Sequence, residues 1–228
     1  MHKFFNSWIN KVISLVLNTF LFVSSVSLAI MGSVFGYQST AHKFGKPDWT
    51  YLRMFTILSN AFNGLVCLVV VIMTIIYFKK DKPYPRWLKI LFNCGLTSVM
   101  LTFLTVLCFL GPVHVSKGGN FMFMYNGIDY LLFHMINPLV TLVSYLFFFK
   151  GEKLHWYCLL YAVIPMAIYS IVYTSNVLSH NWPDFYGFTF GGKYYLTAIV
   201  LPAMLLATYL ISFLINLLVN FLDNTIKK

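Results

Sequence analysis

Residues 54–78 read MFTILSNAFNGLVCLVVVIMTIIYF and contain no aspartate, glutamate, lysine or arginine. As a helix this stretch rises about 37 Å, which exceeds the roughly 30 Å of hydrocarbon in a bilayer. Its serine and asparagine residues all fall within the first ten positions, and the remainder is nearly all apolar. The stretch therefore predicts a transmembrane helix whose polar side chains gather near one end.

Five more windows lack charged residues in the same way. The chain has 228 residues, of which 59% are hydrophobic and 10% charged, whereas an average soluble domain is about 25% charged. This composition excludes a soluble domain, and 23 Phe, 15 Tyr and 5 Trp exclude a disordered chain. We predict an all-α polytopic membrane protein, one domain over residues 1–228 with six transmembrane helices. The predicted spans are residues 12–36, 54–78, 90–111, 130–149, 156–179 and 194–222.

The net charge of +10 lies in the loops and at the termini. Eleven basic residues fall at the two termini and in the loops at 79–89 and 150–155, and five fall in the other three loops. Lysine and arginine concentrate on the cytoplasmic side of membrane proteins. The distribution therefore predicts that both termini are cytoplasmic, and it explains the positive charge without a nucleic-acid partner.

The four cysteines, Cys67, Cys94, Cys108 and Cys158, all lie inside apolar windows without the spacing of metal ligands. We interpret them as small hydrophobic residues and predict neither a metal site nor a cofactor. Lysine outnumbers arginine 14 to 2, a bias that suggests an AT-rich genome and so a bacterial cell membrane.

Polar residues recur along the start of span 2. Arg53, Thr56, Asn60 and Asn63 follow one another at steps of three and four, with Ser59 beside them. This spacing predicts that the four side chains share one face of a helix.

Span 4 has a second polar group near its start. Tyr130, His134 and Asn137 share a face by the same spacing. Asp129 precedes them, either as a charge that favours the start of the helix or as part of a site. Spans 2 and 4 both enter from the predicted outer side, so we expect His134 to lie at the depth of Thr56.

A threonine and a histidine at one depth permit nucleophilic chemistry. A threonine hydroxyl reacts only when a base removes its proton, and a neutral imidazole can do so near pH 7. Asn60, Asn63 or Arg53 could then stabilise an oxyanion. A nucleophile within the outer leaflet suits a lipid substrate that arrives sideways from the membrane.

The same residues also permit simpler interpretations. Serine, threonine and asparagine in membrane helices often only hydrogen-bond a neighbouring helix. We expect such packing for Ser98, Thr102 and Thr105 of span 3 and for Asn216 and Asn220 of span 6. The alternatives to an enzyme are a transporter or lipid-binding protein without catalysis, and a structural membrane subunit.

Three short motifs point to a known family. The segment from Arg53 to Asn60 resembles an R-x-F-T-x-x-S-N opening found in bacterial six-span proteins, and His134 to Pro138 resembles their H-x-x-x-P segment. The loop residues Trp182-Pro183-Asp184-Phe185 look like a variant of their Y-P-F stretch. These bacterial proteins are similar to the androgen-induced-gene family of eukaryotes.

That resemblance implies an activity. Known members of the eukaryotic family are membrane hydrolases that cleave fatty acid esters of hydroxy fatty acids with a threonine and a histidine. By position, Thr56 would be the nucleophile and His134 the base of a lipid ester hydrolase. Its partners would be membrane lipids and a lipid substrate, and the oligomeric state stays open. The supporting residues would be Arg53, Ser59, Asn60, Asn63, Asp129, Tyr130 and Asn137.

Overall fold

A computed structural model describes residues 8–38, 41, 43–79, 83–149 and 153–225. Within these ranges six helices are long and apolar enough to cross a membrane, which confirms the prediction of an all-α, six-span protein. The third helix is longer than predicted, because Arg86 and Lys89 belong to its first turns and not to the preceding loop. The helices are α1 (Trp8–Val34), α2 (Phe55–Ile76), α3 (Arg86–Ser116), α4 (Ile128–Phe148), α5 (Trp156–Leu178) and α6 (Tyr194–Asn224).

Six spans place the start of α1 and the end of α6 on the same side of the membrane. We call this face the terminal side. The opposite face, the far side, carries the loops before α2, before α4 and before α6. The assignment of the terminal side to the cytoplasm stays a prediction.

Three of the helices change their winding just before a proline. A π-helical turn at Val106–Leu110 precedes Pro112 in α3, and a second at Leu132–Ile136 precedes Pro138 in α4. In α5 a 3-10 segment at Trp156–Val163 precedes Pro165. Proline has no N–H and its ring collides with the carbonyl four residues earlier, and a wider or tighter preceding turn relieves this collision. Pro202, in contrast, lies within a continuous α-helix in α6.

The helix α3 lies at the centre of the bundle. It packs against α2 and α4 on one side and against α5 and α6 on the other, and α1 packs against α2 and α4. Close approach of α1 and α2 depends on Gly64, where a Cβ atom would lie 2.9 Å from the Cβ of Ser25. Small residues at such crossings let the backbones of membrane helices touch.

Buried amides join α1, α2 and α4. The side chain of Asn18 donates to Ser144 at 2.9 Å, and that of Asn63 donates to Thr141 at 2.9 Å. Each such bond typically contributes under about 2 kcal/mol in a membrane. Together they fix which face of each helix turns inward.

We predict that Gly64→Val lowers the melting temperature of the detergent-solubilised protein by several degrees. The added methyl groups would collide with Ser25, and overpacking costs about 1–3 kcal/mol, with about 2–4 °C per kcal/mol for a chain of this size. Leu65→Val is the control, since Leu65 is 52% exposed toward lipid. An equal effect of both substitutions, measured by thermal unfolding, would contradict the close contact.

Candidate functional site

A cavity of about 430 Å³ lies between the far-side halves of α2, α3, α5 and α6. Along α3 its lining runs from Leu101 to Leu110, a rise of about 13 Å. That depth is close to half of the roughly 30 Å hydrocarbon core. The cavity is therefore about one leaflet deep.

The cavity reaches the lipid-facing surface of the protein. Of its lining residues, Phe109 is 53% exposed and Phe190 is 37% exposed. Phe188 lines both this cavity and a second one of about 550 Å³, which lies between α5 and α6. Because both cavities border the far-side half of α6, this half stands away from its neighbours.

Hydroxyl groups lie along the first cavity from its far-side end, at Thr56 and Tyr186, to its floor, at Thr102. Thr56, Thr105 and Tyr186 line it among mostly apolar side chains. The phenol oxygen of Tyr186 accepts a 2.9 Å hydrogen bond from the N–H of Phe55 and also bonds Thr56. The first turn of α2 has no side-chain cap from its own N-cap residue, so Tyr186 takes that role.

Burial raises the pKa of the Tyr186 phenol, although hydrogen bonds from Phe55 and Thr56 act in the opposite direction. Tyr186 therefore stays neutral near pH 7 and does not serve as a base for Thr56. The sequence motif next to this residue, Trp182-Pro183-Asp184-Phe185, indicates only a family resemblance and does not include Tyr186. Its contact with α2, 131 positions away, carries no signal in the sequence.

Asp184 holds the far-side loop together above the cavity. Its carboxylate accepts hydrogen bonds from the Tyr173 hydroxyl at 2.6 Å, the Phe188 N–H at 2.9 Å and the Thr189 N–H at 2.7 Å. Burial raises the pKa of Asp184, but hydrogen bonds from Thr189, Tyr173 and Phe188 outweigh it, and the pKa lies below its usual value. The charged carboxylate therefore stabilises the loop.

Arg53 lies outside α2, so the prediction that it shares a helical face with Thr56 is wrong. It ends a 3-10 segment, Trp49–Arg53, and the extended Met54 separates this segment from α2. Its guanidinium lies 5.3 Å from the ring centre of Trp182, within the range of a cation–π contact. Its carbonyl accepts a 2.8 Å hydrogen bond from Tyr169, which lines the cavity.

The polar residues of α2 point in different directions. Thr56 lines the cavity, whereas the Ser59 hydroxyl lies 3.1 Å from that of Thr102 on α3. Asn60 donates to the carbonyl of Phe133 on α4 at 3.3 Å. Asn63 bonds α4 as well, so Ser59, Asn60 and Asn63 have the contacts that the packing interpretation expects.

His134 lies apart from the cavity. Its Nδ1 is 2.6 Å from the carbonyl oxygen of Met124, and its ring stacks on Tyr130 with centres 5.5 Å apart. The structure describes the side chains of both Thr56 and His134, and no hydrogen bond joins them. The catalytic pair stays a prediction, and it requires the two side chains to approach each other.

Asp129 and Asn137 bond to α4 itself and to the neighbouring segments. Asp129 is buried in the first turn of α4 and accepts from the Tyr51 hydroxyl at 3.2 Å and from the Tyr130 N–H at 2.8 Å. Asn137 donates to Ser25 of α1 at 3.1 Å and to Asn60 of α2 at 3.3 Å.

Among the residues that the structure describes, no three histidine, cysteine, aspartate or glutamate side chains gather so as to hold a metal ion. Comparison of the chain with models of known families, with characterised proteins and with solved structures finds no match. The resemblance of its motifs to the androgen-induced-gene family stays a prediction.

We predict that Asp184→Asn destabilises the protein in a pH-dependent way. The folded-state pKa of Asp184 is lowered, so its stabilising contribution is present above its usual pKa of about 4 and is lost as the pH falls through the folded value. The difference in melting temperature between wild type and variant should be constant between about pH 5 and about pH 7. It should shrink below about pH 4.

Thr189→Val is the matched variant, because it removes a donor to Asp184 but leaves the charge. It should reproduce part of the loss at neutral pH. A difference between wild type and Asp184→Asn that does not change with pH would contradict this role of the carboxylate.

Proposed function

We propose that this protein binds a membrane lipid, with one acyl chain held in the cavity between α2, α3, α5 and α6. The observation that carries the proposal is a mostly apolar cavity, one leaflet deep, that reaches the lipid-facing surface at Phe109. Its volume of about 430 Å³ lies within the range of about 300–1,000 Å³ that is typical of small-molecule sites.

The shape of the cavity favours an upright chain. Its floor lies near Leu101 and Ala207, about half-way through the membrane, and the hydroxyls of Thr56 and Tyr186 lie at its far-side end. An acyl chain that enters past Phe109 would have its methyl end at the floor and its polar end beside Thr56 and Tyr186. Hydrocarbon groups would then meet apolar walls, and a carbonyl or hydroxyl would meet hydrogen-bonding partners.

Arg53 favours a negatively charged lipid. Its carbonyl bonds Tyr169 at the cavity wall, and its charged group lies against Trp182 at the far-side surface. Guanidinium groups bind carboxylates and phosphates with paired hydrogen bonds. By the predicted topology the ligand would come from the outer leaflet of a bacterial cell membrane.

A lipid ester hydrolase is the second candidate. It is favoured by the position of Thr56, whose hydroxyl-bearing side chain lines the cavity at the level expected for the polar end of a lipid. His134 would have to move toward Thr56 to accept its proton during attack on the ester carbonyl, because no hydrogen bond joins the two side chains. Its Nδ1–H donates to the carbonyl of Met124, so Nε2 would be the proton acceptor.

We predict that Ala207→Phe weakens lipid binding. The larger ring would occupy the cavity floor and exclude the end of the chain, and a loss of about 1.4 kcal/mol weakens binding about tenfold. Leu206→Phe is the control, because Leu206 is 59% exposed on the outside of the same helix. The measurement is covalent capture of a diazirine-bearing palmitate by the full chain in liposomes.

Capture should map to peptides that contain residues 101–110 and 200–207, and excess palmitate should compete with it. Capture that Ala207→Phe leaves unchanged, or that maps only to other surfaces, would contradict the proposed site.

The hydrolase candidate predicts that Thr56→Ala and His134→Ala each abolish both the hydrolysis of a long-chain ester and labelling by a fluorophosphonate probe. Thr105→Ala is the control, since it also removes a hydroxyl from the cavity wall. Full activity in purified Thr56→Ala or His134→Ala would exclude the proposed pair. Palmitate capture without labelling of the wild type would support lipid binding without catalysis.

A further inference from the structure

The helices α3 and α6 carry polar side chains at every fourth position in their terminal-side halves. Side chains four residues apart in a helix lie on the same face. The series comprises Lys89, Asn93 and Thr97 on α3, and Thr208, Ser212, Asn216 and Asn220 on α6.

One hydrogen bond shows that these two faces meet. The amide of Asn93 donates to the hydroxyl of Ser212 at 2.7 Å. The helices are antiparallel, so one turn toward the far side Thr97 comes opposite Thr208, and one turn toward the terminal side Lys89 comes opposite Asn216. We call this interface the polar seam.

The polar seam leads to the cavity. One turn beyond Thr97 and Thr208 are Leu101 and Met204, which line the cavity, and one turn further are Thr105 and Val200, which also line it. The same faces of α3 and α6 therefore form the seam in one half of the membrane and the cavity wall in the other.

The seam holds polar atoms that the described part of the protein does not satisfy. Asn93 is 1% exposed and Thr97 is 0% exposed, yet Oδ1 of Asn93 and Oγ1 of Thr97 have no hydrogen-bond partner there. Oδ1 of Asn220 is also buried, and it too has no hydrogen-bond partner in the described part of the protein. Unsatisfied groups are costly in a membrane interior, and buried water is their usual partner where several polar groups face one space.

The terminal-side end of the seam is charged. Lys89 is 3% exposed and interacts electrostatically with Asp223 near the end of α6 and with Lys153 before α5. Ionisable side chains that are buried within membrane bundles often face water-filled paths.

We propose that ordered water molecules occupy the polar seam and reach from the terminal-side surface to the floor of the cavity. Asn93 Oδ1, Thr97 Oγ1 and the hydroxyls of Thr208 and Ser212 bind this water. The cavity therefore meets lipid at its side and water at its floor. The seam uses side chains that the lipid site does not, so it stands whether or not the cavity binds a lipid.

The test uses the full chain in liposomes with its four cysteines replaced by alanine and one cysteine introduced at Ser212 or Thr97. Silver ion is the probe, because it reaches a thiolate only through water. A cysteine that has bound silver is no longer labelled by a maleimide added afterwards, and this loss of labelling measures the reaction. The controls are Leu96→Cys, at a dry position that is 0% exposed, and Leu214→Cys, at a lipid-facing position.

We expect Ser212→Cys and Thr97→Cys to react with silver ion at least about tenfold faster than both controls, because thiols ionise only where water reaches them. Silver ion added on the terminal side should react faster than silver ion added on the far side, because the proposed water path opens on the terminal side. Rates equal to that of Leu96→Cys would overturn the proposal and leave the seam as a dry contact between helices.

A second measurement needs no substitution. X-ray hydroxyl-radical footprinting of the unaltered chain in ¹⁸O-labelled water should modify segments 93–97 and 208–216. It should spare segment 66–70 of α2, although Val66, Cys67 and Val70 there are just as buried and cysteine is readily oxidised. Modification of segment 66–70 alone would also overturn the proposal.

Discussion

Hydrocarbon offers no partner for a polar group, and this constraint arranges the whole bundle. Asn137 shows it most clearly, because its single side chain is bonded to Ser25 of α1 and to Asn60 of α2 while it is fixed to α4. Asn18 and Asn63 repeat the pattern on either side of α4. Helices α1, α2 and α4 therefore have a defined rotation about their axes, which apolar packing against lipid-like surfaces would not give them.

The same constraint acts on α3, α5 and α6. The terminal-side half of α6 is held to α3 through Asn93 and Ser212, and its far-side half borders two cavities. Residues of the loop before α6 line both cavities, and Asp184 holds this loop by accepting hydrogen bonds from Tyr173, Phe188 and Thr189. Polar contacts thus hold α6 to α3 in one half of the membrane and shape the loop beside the cavities in the other.

Hydropathy was sufficient to predict six spans, because a run of about twenty apolar residues has few stable structures other than a membrane-spanning helix. The polar residues of spans 2 and 4 were also found from spacing, and all of them have polar partners, line the cavity or contact an aromatic ring. The directions in which these side chains point were not predictable from the sequence. The extended Met54 removes Arg53 from the helix, and the π-helical turn before Pro138 changes the register of α4. Tyr186 was missed because a contact between distant segments leaves no periodic pattern.

The position of Tyr186 has a consequence for affinity. Its phenol already occupies the place beside Phe55 and Thr56 where the polar end of a ligand would bind. Binding there is an exchange of one acceptor for another, so a neutral headgroup gains little beyond the burial of its chain. A negative headgroup gains more, because the amino end of α2 attracts anions. Because Tyr186 already fills this position, the cavity would select ligands by the charge of the headgroup before it selects them by the length of the acyl chain.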